Sequence, residues 1–381
     1  MEKQTVKWSN VFSFAGAFCA LLIGSGFATG QEVMQYFVSY GYWGLAGVVV
    51  VLLLFLYVGT EFMAVGQKEK FKNGNDIYLY YGGKYIGRFY DYFSVVFIFM
   101  SYFIMISGAG STIEQHYGIA KNIGCTVMGA CVAFTVILGL GSIVQIIGKI
   151  GPLKAGLFIT IGLYAIAHNF GDIAKANEII PEMGLLKASP HWGMAALSYV
   201  GFCMLWLGAF LASLGKVSSS RKEARLGAVY GAGLFCVALV IVTFGLMSVI
   251  HQVAGTQIPS LFLAEAMHPY VATAFSVIIV LGVYASAVPL LWTVIARLAK
   301  QGTRRYVVTT FVLAGVGVLI ATVVPFSELV NVVYVLNGYV GIFLLLLMFI
   351  KKFRERKSNL RARPASRADG NTQQLSYDNA Q

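Results

Sequence analysis

Residues 24–32, GSGFATGQE, bring polar chemistry into the first apolar stretch of the chain, which begins VFSFAGAFCALLI. Besides three glycines, they supply the polar groups of Ser25, Thr29, Gln31 and Glu32. Gly24 and Gly26 allow a helix to unwind and a ligand to approach its backbone. An interrupted helix leaves carbonyls and amides without helical partners, and half-helix ends carry partial charges that bind a cation or an anionic group. The stretch therefore predicts a binding site built from backbone.

Other interpretations of this stretch stay open. Gly26 and Gly30 form a GxxxG pattern, which commonly lets two membrane helices pack closely. The neighbouring hydroxyls, amide and carboxylate favour a binding site, because a packing motif does not need them. Glu32 abuts the predicted break, where it would bind a cationic group, relay protons, or pair with a lysine.

The elements that position these residues are membrane helices. Of the 381 residues, 58% are hydrophobic and 12% are charged, which is more apolar surface than a soluble domain buries. A bilayer crossing needs roughly 20 mostly apolar residues. Ten such windows lie near residues 10–38, 42–65, 89–112, 124–140, 150–167, 192–215, 226–250, 269–297, 306–324 and 327–350. We predict an all-α integral membrane protein with ten transmembrane helices.

The basic residues predict the orientation of these helices. The net charge of +12 comes from short basic runs between apolar segments, which encode membrane orientation and do not indicate a nucleic-acid partner. With the N-terminus inside, 24 of the 28 Lys and Arg residues fall on the cytoplasmic side and three outside. Both termini are therefore predicted to be cytoplasmic, in a bacterial cytoplasmic membrane. Residues 351–381 are predicted to form a basic, disordered cytoplasmic tail, which either only anchors the orientation or also touches anionic lipid at the inner surface.

The ten windows divide into two sets of five, separated by the longest predicted external connection. We predict one transporter domain over residues 1–350, with repeats over about 10–167 and 192–350. Because five is odd, the second set begins on the opposite side of the membrane, which inverts its topology. Span 6 is then the partner of span 1, and it repeats the glycine-rich character of span 1 with Gly201, Gly208 and Gly215.

The string IGSGFATG near the start of a ten-span, basic-tailed chain resembles the bacterial YkvI-like membrane proteins. It also resembles the glycine-rich first-helix motif of the amino acid, polyamine and organocation transporter superfamily. The resemblance covers residues 8–350 in topology and is specific in motif around span 1. It implies the leucine-transporter fold, a five-plus-five inverted repeat with broken helices 1 and 6 and a substrate site at the membrane midplane.

The same resemblance implies site residues. It places substrate contacts at the break in span 1, on Ser25, Gly26, Phe27 and Ala28 beside Gly24, and at the break in span 6, on Tyr199, Gly201, Phe202 and Met204. Spans 3 and 8 would complete the pocket with Tyr102 and Tyr284. Tyrosine and phenylalanine in membrane helices also serve as ordinary packing or interfacial residues.

Two coupling ions remain as alternatives, Na⁺ and H⁺. In sodium-coupled members of this fold, span 1 carbonyls and span 8 hydroxyls hold the cation, and here Ser286 is the single good hydroxyl where a pair is usual. Proton-coupled relatives place a span 5 lysine there, and this chain has Lys154. Burial would depress the pKa of such a lysine and let it exchange a proton, although Lys154 would also reach the cytoplasmic headgroups by snorkelling.

The pattern as a whole predicts an ion-coupled secondary transporter. Its substrate would be a small polar organic solute, an amino acid or related amine, moved by alternating access. The sequence predicts no cofactor and no metal site, because the five histidines fit no metal-ligand spacing. An enzyme is not predicted, because no His pairs with Ser or Cys at membrane depth. The alternative is a membrane sensor or scaffold of the same fold, and the oligomeric state is left open.

Overall fold

A computed structural model of the chain describes residues 6–138 and 143–361. For Ser25, residues 143–155 and residues 359–361 it describes the backbone and not the side chains. Every regular element in these ranges is helical. The α-helices are α1 (Trp8–Leu22), α2 (Ser25–Thr29), α3 (Gln31–Tyr36), α4 (Tyr42–Glu69), α5 (Asp76–Tyr117), α6 (Lys121–Leu138), α7 (Ile143–Asn169), α8 (Asp172–Ile179), α9 (Trp192–Val217), α10 (Arg221–Met247), α11 (Ile250–Val253), α12 (Pro259–Met267), α13 (Pro269–Leu298), α14 (Arg304–Val323) and α15 (Phe326–Arg361).

These helices account for the predicted membrane spans. Eight of them, α4, α5, α6, α9, α10, α13, α14 and α15, are long and apolar enough to cross a bilayer. The described part of α7 joins the segment 172–182 through a bend of 95° and supplies a ninth candidate. The interrupted stretch α1–α3 is the remaining predicted span. The all-α membrane fold predicted from hydropathy is confirmed.

Helix packing follows the predicted inverted repeat. The first span packs against the seventh through α1 and α10, and the second packs against the sixth through α4 and α9. The inverted repeat makes spans 1 and 6 equivalent, and likewise spans 2 and 7, so the contact of spans 1 and 7 is equivalent to the contact of spans 6 and 2. In the same way span 3 (α5) is equivalent to span 8 (α13), and span 4 (α6) is equivalent to span 9 (α14). The two helices of each of these pairs pack extensively against each other.

The first span is interrupted, as predicted, and it is interrupted twice. Ile23 and Gly24 leave the helical region with ψ values of 58° and −176°, which separates α1 from α2. Gly30 then adopts φ +85° and separates α2 from α3. This left-handed conformation favours glycine because a Cβ would be strained there. A Cβ on Gly30 would also lie 3.0 Å from the backbone nitrogen of Ser260.

The interruption predicted for span 6 is not present, because α9 runs as one helix from Trp192 to Val217. Its glycines serve close helix packing instead. A Cβ on Gly201 would overlap the carbonyl oxygen of Gly338 in α15, and one on Gly215 would overlap the carbonyl oxygen of Met63 in α4. Small residues of this kind let membrane helices approach backbone to backbone. In this span glycine therefore marks a helix contact.

The last helix extends past the predicted end of its span. α15 continues through residue 350 to Arg361, so the first part of the predicted tail is helical. Lys352 forms an ion pair with Glu61 of α4, and the hydroxyl of Tyr80 in α5 donates to Glu355 at 3.1 Å. These contacts hold the extension against the rest of the bundle. Residues 362–381 lie outside the described ranges.

Candidate functional site

The carboxylate of Glu32 lies inside the bundle, immediately after the second interruption of the first span. Its side chain belongs to the first turn of α3, and only 3% of the residue is exposed. The hydroxyl of Tyr199 in α9 points at Glu32 Oε2 from 3.5 Å, the long limit of a hydrogen bond. On the opposite side the carboxylate lies against Gly26, where a Cβ would overlap Oε1. The break therefore encloses an acidic group.

An aromatic cluster covers this carboxylate. It consists of Tyr36 of α3, Phe97 of α5, Tyr199, Phe202 and Trp206 of α9, and Tyr334 of α15. The rings of Phe202 and Tyr334 stack at 4.4 Å with an interplanar angle of 10°. Trp206 meets Tyr334 edge-on at 5.6 Å. Four spans thus meet at one polar, ring-lined position.

The cluster contains three buried polar atoms, the hydroxyls of Tyr36 and Tyr334 and the indole nitrogen of Trp206. The Tyr36 hydroxyl faces Ser198 and the Tyr334 hydroxyl faces the Glu32 carboxylate, whereas the indole nitrogen has no hydrogen-bond partner among the described residues. Buried polar groups are normally hydrogen-bonded, and leaving one unpaired costs about 1–3 kcal/mol. The Tyr334 hydroxyl would lie 3.2 Å from a Cβ on Gly26, on the same side as the Glu32 carboxylate. The arrangement can therefore offer a small ligand one carboxylate, several hydroxyls and ring faces.

Backbone carbonyls at the break are less available to a ligand than the sequence predicted, because other groups of the protein already donate hydrogen bonds to them. The Gly26 carbonyl accepts from Thr29 Oγ1 at 2.7 Å, and the Ala28 carbonyl accepts from Ser260 Oγ at 2.6 Å. The Gly24 carbonyl accepts from the Ala28 amide at 3.0 Å. α2 and α3 have five and six residues, too short for a large summed dipole. The chemistry of this site therefore rests mainly on side chains.

A polar network joins the helices at the end of the bundle that the charge pattern assigns to the outside. Gln31 Nε2 donates to the Thr256 carbonyl at 2.6 Å, which ties α3 to the loop before α12. Gln35 Nε2 donates to the Ser327 carbonyl at 2.9 Å, and Asn331 Nδ2 donates to Gln35 Oε1 at 3.0 Å. These bonds tie α3 to the start of α15.

Ion pairs join the helices at the other end. Lys352 of α15 pairs with Glu61 of α4. Arg297 of α13 pairs with Asp91 of α5 at 2.9 Å, where the side chain of Asn75 also donates at 2.7 Å. With the polar network opposite, these contacts join the helices on both sides of the aromatic cluster.

A further carboxylate fixes the start of the first span at the same end. The two oxygens of Glu223, at the beginning of α10, accept from the backbone nitrogen of Lys7 at 2.9 Å and from Asn10 Nδ2 at 3.1 Å. The residue is fully buried. α1 is therefore held to α10 at its first turn.

The structure brings together part of the predicted substrate site. Gly26, Tyr199 and Phe202 meet beside the Glu32 carboxylate in the aromatic cluster. Met204 is also buried in α9.

Other predicted substrate residues lie apart from the cluster. Phe27 packs between Phe158 and Phe235, at centroid distances of 5.4 Å and 5.3 Å. Tyr102 fills the space that a Cβ on Gly317 would need. Gly201 faces α15, as described above, and the Tyr284 hydroxyl hydrogen-bonds to Thr135 of α6 at 2.6 Å.

Of the two predicted coupling residues whose side chains the structure describes, Glu32 joins the cluster and Ser286 does not. Ser286 Oγ donates to its own helix, at the Gly282 carbonyl, over 3.0 Å. The side chains of Lys154 and Ser25 lie outside those the structure describes. Lys154 belongs to α7, one helical turn before Phe158, which packs against Phe27 of the broken span.

The sequence interpretation missed the contribution of the last span. Tyr334 sits among the apolar residues of VVYVLNGYVG in α15. Asn337 and Gly338 three and four residues later were an available signal, because an amide and a glycine inside an apolar span mark a special environment. Asn337 is fully buried, and its Nδ2 donates to the Val333 carbonyl at 2.6 Å.

Comparison with known proteins agrees with this architecture. No protein-family model matches the chain. The membrane protein YkvI of Bacillus subtilis is 25% identical over 353 residues, which cover 90% of this chain and 96% of YkvI. The inward-facing structure of Mhp1 matches with a TM-score of 0.57 at 15% identity, covering 88% of this chain and 73% of Mhp1. MhsT in complex with L-phenylalanine matches with a TM-score of 0.55 at 15% identity, covering 88% of both chains.

The fold and the interrupted first span define a multi-span membrane protein of the leucine-transporter fold. Within that class the chain is homologous to YkvI. The fold expected from the string IGSGFATG is therefore confirmed.

Proposed function

We propose that the protein is an ion-coupled secondary transporter of a small polar organic solute, an amino acid or related amine, working by alternating access in the bacterial cytoplasmic membrane. The observation that carries this proposal is the buried Glu32 carboxylate, which lies at the break in the first span beneath the aromatic cluster. An ionisable group within the membrane is expensive to bury, so it is retained for a function.

The contacts at the two ends of the bundle support alternating access. The Gln31–Gln35 network and the Glu61–Lys352 ion pair lie on opposite sides of the aromatic cluster. Hydrogen bonds and ion pairs of this kind can break and reform at modest free energy. A solute held between them is released to one side when only the contacts of that side open.

The solved structures of similar fold support the class of substrate. MhsT was solved with the amino acid L-phenylalanine, and Mhp1 was solved in an inward-facing conformation. Both share the fold of this chain at low identity, so the proposal takes only the size and polarity of a solute, and takes them from MhsT. The particular substrate has to come from binding measurements.

The coupling ion is proposed to be H⁺ or Na⁺, and the candidate residues predict different behaviour. Sodium coupling would use Ser286 with carbonyls near the break. Proton coupling would use Lys154 or Glu32. Sodium-dependent binding that survives Lys154→Ala favours the first, while pH-dependent binding abolished by Lys154→Ala favours the second.

Uptake by proteoliposomes tests the proposal. Purified protein would be reconstituted, and accumulation of radiolabelled amino acids and amines would be measured with an inward gradient of Na⁺ or H⁺. We expect gradient-dependent accumulation that a protonophore or a sodium ionophore abolishes. Binding without accumulation under either gradient would indicate a membrane sensor and contradict the transporter proposal.

A further inference from the structure

We propose that the imidazole of His116, in the last turn of α5, is a proton-binding site that holds α12 against the interrupted first span. The ligand of this site is a proton taken up from the external side. With the second proton bound, the ring joins α5 to both α12 and α13, and without it one of these two contacts is lost. The consequence for transport rests on the proposed function, because the proton would regulate access to the break from outside.

The short helix α12 lies directly against the interruption. Ser260, in its first turn, donates through Oγ to the Ala28 carbonyl at 2.6 Å, and its backbone nitrogen would lie 3.0 Å from a Cβ on Gly30. α12 also packs against α7, α10 and α13. A movement of α12 away from the bundle therefore breaks its contact with the first span.

The end of α5 holds α12 in two ways. Gln115 forms two hydrogen bonds with Ile258, the residue before α12: its Nε2 donates to the carbonyl at 3.0 Å, and its Oε1 accepts from the backbone amide at 2.9 Å. His116 faces the second half of α12, where its Nδ1 lies at ion-pair distance, 3.6 Å, from Glu265 Oε1. An amide keeps its hydrogen bonds at any physiological pH, whereas the contact through an imidazole depends on pH.

The partners of the ring favour its doubly protonated form. A neutral imidazole has one donor and one acceptor nitrogen, and both nitrogens are donors in the charged form. His116 Nδ1 faces the Glu265 carboxylate, and an ionised carboxylate only accepts. Nε2 lies 3.1 Å from Thr273 Oγ1, whose single proton is donated to the Pro269 carbonyl at 3.1 Å. Both nitrogens therefore face acceptors, and the charged ring satisfies both at once.

The neutral ring satisfies one of these partners in the same geometry. With its proton on Nε2, a lone pair of Nδ1 points at Glu265, and with its proton on Nδ1 the Thr273 hydroxyl has to give up its bond to its own helix. The neutral ring also lacks the charge that attracts the carboxylate. Histidine is the side chain that changes charge between about pH 5 and pH 8. External acid therefore strengthens the hold on α12, and a rise in pH weakens it.

Glu265 is the charged group that faces the ring among the described residues, and the neighbouring ionisable groups have other partners. Glu114 accepts from the backbone nitrogen of Lys121 at 3.4 Å, and the Lys121 ammonium donates to a backbone carbonyl before α15 at 2.7 Å. His268 accepts through Nδ1 at the start of α13. The Tyr117 ring meets the imidazole edge-on at 4.6 Å, and its hydroxyl bonds to α13. The pairing with Glu265 therefore depends on the charge of the imidazole.

Distances between two spin labels in the purified full-length protein test the inference. One label is attached at Ala266→Cys in α12 and the other at Asn122→Cys in α6, which packs beside α5; both positions are exposed. The exposed Cys131 is replaced by serine. We expect one short distance at about pH 5.5 and an added longer one at about pH 8, with the population ratio changing about fivefold, as for a partly exposed ion pair. The same distances at both pH values would overturn the inference.

Variants assign the change to the ring. His116→Gln can still bond to Thr273 and takes no charge, and Glu265→Gln leaves the ring in place without a charged partner. We expect both variants to show the alkaline distribution at both pH values. His251→Gln, at an exposed position in α11, is the matched control and should keep the full pH dependence. A pH dependence that survives in His116→Gln or in Glu265→Gln would overturn the assignment.

This experiment separates the inference from the proposed function. Spin-label distances report the position of α12 whether or not the protein transports. Distances that change with pH, without solute accumulation in proteoliposomes, would keep the inference and contradict the transporter proposal. Gradient-driven accumulation with distances independent of pH would do the reverse.

Discussion

Gly26 and Glu32 face each other across the left-handed turn at Gly30, so closely that a Cβ on Gly26 would overlap the carboxylate oxygen. The two residues belong to different short helices, α2 and α3, and the break in the first span is what brings them together. In a continuous helix, residues six apart point to different faces. The carboxylate thus occupies the volume that the glycine leaves free.

Gly26→Ala should weaken solute binding about tenfold, because the added methyl group displaces the Glu32 carboxylate from the aromatic cluster. The measurement is the dissociation constant of the best-binding solute, by calorimetry. Gly16→Ala in α1 is the matched control, since nothing lies within 4 Å of its Cβ position. Unchanged affinity in Gly26→Ala would show that the carboxylate position does not matter for binding.

Gly201→Ala should lower the stability of the bundle by about 1–3 kcal/mol, because its methyl group would meet the backbone of Gly338, which cannot move as a side-chain end can. The expected readout is a lower unfolding temperature in detergent. Gly233→Ala in α10 has open space at its Cβ and should be neutral or slightly stabilising. A Gly201→Ala protein as stable as the wild type would contradict the close contact of α9 with α15.

Lys352→Met should increase access to the site from the end of the bundle where Lys352 pairs with Glu61. Cys203, which is buried in α9 beside Phe202, supplies a native reporter once the exposed Cys131 is replaced by serine. Alkylation of Cys203 by an impermeant maleimide from the cytoplasmic side should accelerate. The exchange Glu61→Lys with Lys352→Glu should restore slow labelling, and failure to do so would argue against an ion pair as the cause.

Gln35→Leu should have the corresponding effect at the other end. It removes the bonds of Gln35 to Ser327 and Asn331, which join α3 to α15. Labelling of Cys203 from the external side should become faster. Gln252→Leu, at an exposed position in α11, is the control. Equal labelling rates for the two variants would exclude the Gln35 network as a barrier.

The orientation predicted from the basic residues can be tested with epitope tags. A tag after Gln381 should be protected from external protease in intact cells, and a tag inserted at Gly184, between α8 and α9, should be cleaved. The reason is the excess of Lys and Arg in the segments assigned to the cytoplasm. The reverse pattern of cleavage would invert the assignment of the two ends of the bundle.

Breaks were predicted in spans 1 and 6, and both spans carry glycines, but only the prediction for span 1 is correct. The difference lies in the neighbours: Gly24 and Gly30 sit where the backbone turns, whereas Gly201 and Gly215 sit against the backbones of α15 and α4. A glycine permits both a turn and a close contact. The sequence around a glycine does not show whether it forms a turn or a close helix contact, because the helix that it would contact is remote in the chain.

The sequence by itself determined the all-α membrane fold and the interruption at residues 24–30, because hydropathy and backbone freedom are properties of local composition. Only the tertiary structure decided which rings surround Glu32. Tyr199 and Tyr334 are far from Glu32 in the chain, and helix packing brings them to one point. It also turned Tyr102 and Tyr284 toward α14 and α6, away from the cluster. The direction of a side chain around a membrane helix depends on the neighbouring helices, since lipid and protein interior are almost equally apolar and the sequence pattern distinguishes them weakly.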